Sequence, residues 1–174
     1  MNSRISHIEL NVSNYLKSIR FYDRILPILG WSRLSCTREF TSFSDGVSKI
    51  ILSPVADNHS SPAFHRKRVG LNHLALKASS RAEVDAFYRD VLLPNQIPTL
   101  YSEGATGDDE YYALYFEDPD RVKIELVFAP RYCDPSSWPN NLPNDFDPES
   151  EAEPENTCVE LTSAQKAECE SVLR

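Results

Sequence analysis

Polar and apolar residues alternate along Ile8-Glu9-Leu10-Asn11-Val12, the period of two that marks a half-buried strand. The alternation returns at Leu74-Ala75-Leu76. In both stretches the period then lengthens towards that of a helix. Leu16, Ile19 and Tyr22 are spaced by three, and Val84, Phe87 and Val91 by three and four. Ser80-Arg81-Ala82-Glu83 has the S-x-x-E pattern of a capping box, which satisfies free N–H groups at a helix start. Pro27 and Pro94 lie where each helical pattern stops, since proline cannot continue the hydrogen-bond ladder.

Short strand-like stretches follow each helix, around 31–34, 39–44 and 47–52 in the first half and 99–102, 111–116 and 122–128 in the second. Asp45-Gly46 and Asp118-Pro119-Asp120 supply the turns before the last strands. The halves are copies. Ser6-His7-Ile8-Glu9-Leu10-Asn11-Val12 matches Asn72-His73-Leu74-Ala75-Leu76-Lys77-Ala78 at an offset of 66, and Phe21-Tyr22 matches Phe87-Tyr88 at the same offset. Lys49-Ile50-Ile51-Leu52 matches Lys123-Ile124-Glu125-Leu126 at 74, the drift reflecting loop lengths. The chain therefore predicts an α+β fold of two tandem βαβββ modules, 4–55 and 70–131, forming a curved mixed sheet around a cleft. A domain over 1–131 and an extension over 132–174 follow. A polar loop within 95–110 is placed to close over that cleft.

Charge sharpens the boundary. From Asp134 onward ten acidic residues face only Lys166 and Arg174, a net −8, whereas the first 133 residues balance to zero. Five prolines punctuate this acidic segment, which reads as a flexible tail dispensable for the fold, with Trp138, Leu142 and Phe146 as candidate anchors. A sequence pI near 5.0 argues against nucleic acid as a partner. No apolar run approaches the ~20 residues that span a bilayer, and the first residues lack the apolar core of a signal peptide, so a cytoplasmic protein without membrane attachment is expected. Cys36, Cys133, Cys158 and Cys169 are widely spaced and read as free thiols.

Three side chains agree in parity. His7 and His73 start equivalent strands on the face opposite the apolar residues, and in the last strand Glu125 lies opposite Ile124 and Leu126. Two imidazoles and one carboxylate suit Fe2+, Mn2+, Zn2+, Ni2+ or Co2+, leaving positions open for water and substrate. The bland account makes Glu125 a solvated residue paired with Lys123, and the Tyr111, Tyr112 and Tyr115 cluster ordinary strand formers.

The segments Arg-Ile-Ser-His-Ile-Glu-Leu-Asn-Val, Leu-Asn-His-Leu-Ala-Leu and Tyr-Phe-Glu-Asp-Pro-Asp-Arg-Val-Lys-Ile-Glu-Leu-Val resemble the glyoxalase/bleomycin-resistance/dioxygenase (vicinal oxygen chelate) superfamily over residues 4 to about 131. The resemblance implies a divalent metal held by His7, His73 and Glu125. It also implies a substrate-contacting role for Tyr115, ten residues before the glutamate. Glyoxalase I carries a fourth ligand where this repeat has Ile51, so the set is closer to that of extradiol dioxygenases. Arg121 stands where glycine is usual, and nothing matches the dioxygenases' further catalytic histidine. The expectation is a metal-dependent enzyme acting on a small oxygenated molecule, dioxygenase-like before glyoxalase I-like. A drug-sequestering protein of the bleomycin-resistance type and a partner-binding module working through the acidic tail are the rivals. Such proteins are frequently homodimers with shared clefts.

Overall fold

The computed structural model describes residues 3–134 and 136. All of the acidic extension from 137 onward, with Trp138, Leu142 and Phe146, lies outside the described residues, as do Cys158 and Cys169. Cys36 and Cys133 are free thiols. Among the described residues no helix is long and apolar enough to cross a membrane.

The two modules form as the alternation requires. In the first, β1 (His7–Val12) leads into helix α1 (Tyr15–Ile25), followed by β2 (Ser32–Cys36), β3 (Thr41–Ser44) and β4 (Lys49–Pro54). In the second, β5 (Leu74–Lys77) leads into α2 (Arg81–Phe87), then β6 (Thr106–Gly107), β7 (Tyr112–Glu117) and β8 (Lys123–Phe128). Each makes a mixed four-stranded sheet of the same order, β1-β4-β3-β2 and β5-β8-β7-β6, with the first strand parallel to the last and the other pairs antiparallel. Tandem modules of the expected class are therefore present.

Helix starts follow local chemistry. Asn14 caps α1 by accepting from the Lys17 N–H at 3.0 Å, and Ser80 caps α2 by accepting from the Glu83 N–H at 3.2 Å. Glu83 reaches back to the Ser79 N–H, one residue earlier than in a standard capping box. Ser80→Ala is expected to lower stability by about 1 kcal/mol in denaturant melts, with no effect on the distant sheet faces.

Two expectations are corrected. Leu16 is not a core residue but 62 % exposed, and Ser18 is fully buried in the helix stripe instead, with its hydroxyl on Asp120. The segment 99–102 is no strand: Thr99 makes a lone bridge to Phe116, Tyr101 turns into the left-handed region at φ 72°, and the edge strand forms at Thr106–Gly107. Left-handed backbone is incompatible with a continuing ladder, and Tyr101 leaves the edge there.

One apolar core joins both modules. Ile19, Tyr22, Ile50 and Leu52 from the first module and Val84, Phe87, Leu114, Phe116 and Ile124 from the second belong to it. Phe116 packs against Phe21 and Phe87, with ring centroids at 6.4 and 5.8 Å. Polar links reinforce the junction. The Tyr22 hydroxyl donates to Asp118 at 3.0 Å, and Asp120 accepts from the Ser13 hydroxyl and backbone N–H. Both sheets thus turn their helix-covered faces to a common core, so their other faces point away from it.

Candidate functional site

The face of the second sheet away from the core carries Lys123, Glu125 and Val127 from β8 and Ala113 and Tyr115 from β7, with Tyr111 just before β7. Pairing sets Tyr115 directly beside Glu125, and Ala75 of β5 on its other side. Glu125 is only 1 % exposed. A buried carboxylate needs partners, and it has three. One oxygen accepts from the Tyr115 hydroxyl at 3.0 Å and, more closely, from the Tyr111 hydroxyl. The other lies 3.1 Å from His73 Nε2. Burial first, and then the hydrogen bond with Glu125, raises the Tyr111 phenol well above its ordinary range, and burial also raises the Tyr115 phenol. Both phenols stay protonated at neutral pH and act as donors that fix the carboxylate plane.

His73, immediately before β5, is oriented by its neighbour. Its Nδ1 lies 2.8 Å from Asn72 Oδ1, while the Asn72 amide nitrogen faces the Arg66 carbonyl at 3.4 Å. That polarity makes Nδ1 the N–H donor, so in the neutral imidazole the Nε2 lone pair is aimed at the Glu125 oxygen, the orientation that a hydrogen-bonded metal-ligand histidine adopts. Two lone-pair donors 3.1 Å apart repel unless a proton or cation lies between them. Donors at about 2.1 Å from one metal ion and at right angles to each other are about 3.0 Å apart, so this pair fits a divalent cation.

The repeat extends to this detail. In the first module Ser6 occupies the position of Asn72, and its hydroxyl lies 3.4 Å from His7 Nδ1. His7 is exposed on the first sheet's outer face, next to Glu9, which accepts from the Ser53 hydroxyl at 2.6 Å. Ile51 pairs with Glu9 on that face, opposite the core residues Ile50 and Leu52. The structure brings His73, Glu125 and Tyr115 together and does not bring His7 to them. Among the described residues no group of three or more His, Cys, Asp or Glu side chains is placed to hold a metal. His7 begins β1 of the first sheet, whereas His73 and Glu125 belong to the second.

Sequence reasoning missed Tyr111, Asn72 and the environment of Lys123. Lys123 does not pair with Glu125, the partner the bland account gives it, but is buried beneath Tyr101 and Tyr115. The equivalence of Ser6 and Asn72 in the repeat was the available signal for the orienting residue.

Paired βαβββ modules with a buried glutamate facing a strand-start histidine define a glyoxalase-type fold. The model of the Glyoxalase/Bleomycin resistance protein/Dioxygenase superfamily matches residues 4–126, and the chain belongs to that superfamily. The uncharacterized protein YqjT of Bacillus subtilis (strain 168) is 36 % identical over 129 residues, covering 70 % of this chain and 95 % of the relative. A crystal structure from Bacillus halodurans, described only provisionally as a glyoxalase, is 36 % identical with a TM-score of 0.66, over 71 % of this chain and 94 % of its own. The fosfomycin resistance protein FosX of Listeria monocytogenes shares the fold at 20 % identity and a TM-score of 0.56, over 74 % and 95 % of the two chains.

Proposed function

We propose that the protein is a metal-dependent enzyme acting on a small oxygenated substrate, with His73 and Glu125 of one chain and His7 of a second copy as the ligands of a divalent ion. The observation that carries this reading is the facing of His73 Nε2 and Glu125 at 3.1 Å, with the other imidazole nitrogen held by Asn72. A bound divalent ion would act as Lewis acid and template for adjacent substrate oxygens. The chain's own contribution is orientation: Asn72 fixes the imidazole, Tyr111 and Tyr115 fix the carboxylate, and Tyr115 borders the open side of the site.

Two imidazoles and one carboxylate leave half of an octahedron open, the arrangement of non-haem Fe(II) oxygenases, and Ile51 offers no fourth donor. Dioxygenase-like chemistry is therefore the first reading. Glu9 lies on the same face as His7, beside Ile51, and a Glu9 carboxylate on the metal would favour a glyoxalase I-like lyase instead. A metal-free drug-sequestering protein is disfavoured by the retained donors and their orienting partners.

Metal analysis of the purified full chain tests the reading. About one transition-metal ion per chain is expected, in a homodimer by size-exclusion chromatography with light scattering. A monomer that binds no Fe2+, Mn2+, Zn2+, Ni2+ or Co2+ would refute it.

A further inference from the structure

Lys123 is 9 % exposed, an unusual burial for an ammonium group. Taking a charge out of water is costly unless an opposite charge compensates it. Yet among the described residues no carboxylate lies within 4.0 Å of its Nζ. Its polar partner is the Tyr101 hydroxyl at 3.5 Å, and the Tyr101 and Tyr115 ring centroids lie 5.6 and 5.4 Å away. These ring faces hold a cation in place but do not neutralise it.

The two carboxylates on the same sheet face are engaged elsewhere. Glu117 stands directly across the ladder from Lys123, but Arg66 takes one of its oxygens and Arg121 lies 3.3 Å from the other. Glu125 is held by His73, Tyr111 and Tyr115. Along this face four basic residues, Lys77, Lys123, Arg66 and Arg121, meet two carboxylates, before any metal charge is added. The surplus is local, because residues 1–133 together carry no net charge.

We propose that Lys123, bracketed by Tyr101 and Tyr115, binds an oxyanion of the substrate (a carboxylate, phosphonate or phosphate). Two residues along a strand separate Lys123 from Glu125 by about 7 Å. A small molecule can thus place its anionic group on Lys123 and its chelating oxygens at the metal. This deepens the proposed function and rests on it: the substrate class becomes small, oxygenated and anionic. Tyr101, on the loop 95–110, closes the anion site from the solvent side.

Calorimetric titration of the full chain, metal-free and metal-loaded, with inorganic phosphate and separately with acetate tests the assignment. Parent protein should bind at least one of the two anions in both states, more tightly with metal. Stronger phosphate binding would point to a phosphoryl or phosphonyl group, stronger acetate binding to a carboxylate. Lys123→Met should weaken that binding at least tenfold at unchanged metal content, and Lys123→Arg should retain it within a few-fold. Lys123→Met binding the anion as the parent does, with only Tm altered, would make the lysine structural and overturn the inference while the metal reading stands. Lys123-dependent anion binding in a protein that takes up no metal would refute the proposed function and leave the anion site in place. Failure of the parent to bind either anion overturns the inference outright.

Discussion

Glu125→Gln is expected to reduce metal affinity at least 100-fold while leaving the fold intact. The amide has the carboxylate's shape, and the Tyr111 and Tyr115 hydroxyls can rotate to accept from it, so the buried hydrogen bonds survive. What disappears is the negative charge facing His73 Nε2, and a neutral amide oxygen is a far weaker ligand for a divalent transition ion. Unchanged Tm measured on metal-stripped proteins, combined with lost metal, separates ligation from a structural role. His7→Ala should lose metal as severely, although His7 is exposed and far less important for packing. Mixing is the sharper test. If His7 serves the site of a second copy, a heterodimer of His7→Ala and Glu125→Gln chains contains one intact site and one doubly defective one. Refolding the two variants together should then recover one site per heterodimer, about half a site per dimer when random pairing makes half of the dimers heterodimers, where each variant alone has none. Recovery of nothing would refute a site shared between two copies.

The modular fold was readable because burial imposes a period on each element. Ile8, Leu10 and Val12, and later Ile124 and Leu126, can bury one sheet face only if strands run through them, and the repeat confirmed one half by the other. Parity put Glu125 and the two histidines on outer faces for the same reason. Parity is silent on which outer faces meet. That depends on how two modules share a core, and Phe116 between Phe21 and Phe87 directs the helix-covered sides towards each other. The segment 99–102 misled because Thr, Leu and Tyr have strand propensity. The positive φ at Tyr101 is a tertiary choice that lets its ring reach Lys123 and Tyr115.

Asp118 should give the fold a pH dependence of opposite sign to that of a typical ion-paired carboxylate. It is 5 % exposed, at the β7–β8 turn, and accepts from Tyr22 with one oxygen and from the Asp120 and Val122 N–H groups with the other. Burial outweighs those three hydrogen bonds and pushes its carboxyl up to about 6, against roughly 3.9 in an unfolded chain. Between these values the folded state binds the proton that the unfolded state has released. Stability from this group is therefore fullest below about pH 4, falls as pH rises through about 6, and is flat above it. The span corresponds to about 2–3 kcal/mol. Asp118→Asn keeps an oxygen for the two backbone N–H groups and lets Tyr22 accept from the new amide. It should therefore match or exceed the parent's stability at pH 8 and abolish the difference between pH 4 and 7. Asp118→Ala instead leaves the fully buried Tyr22 hydroxyl and two N–H groups without their acceptor, and should cost about 3–5 kcal/mol, roughly 10 °C in Tm. Denaturant melts of the three proteins at pH 4, 6 and 8 decide the matter, and an Asp118→Asn variant that retains the parent's slope would show that another group carries it.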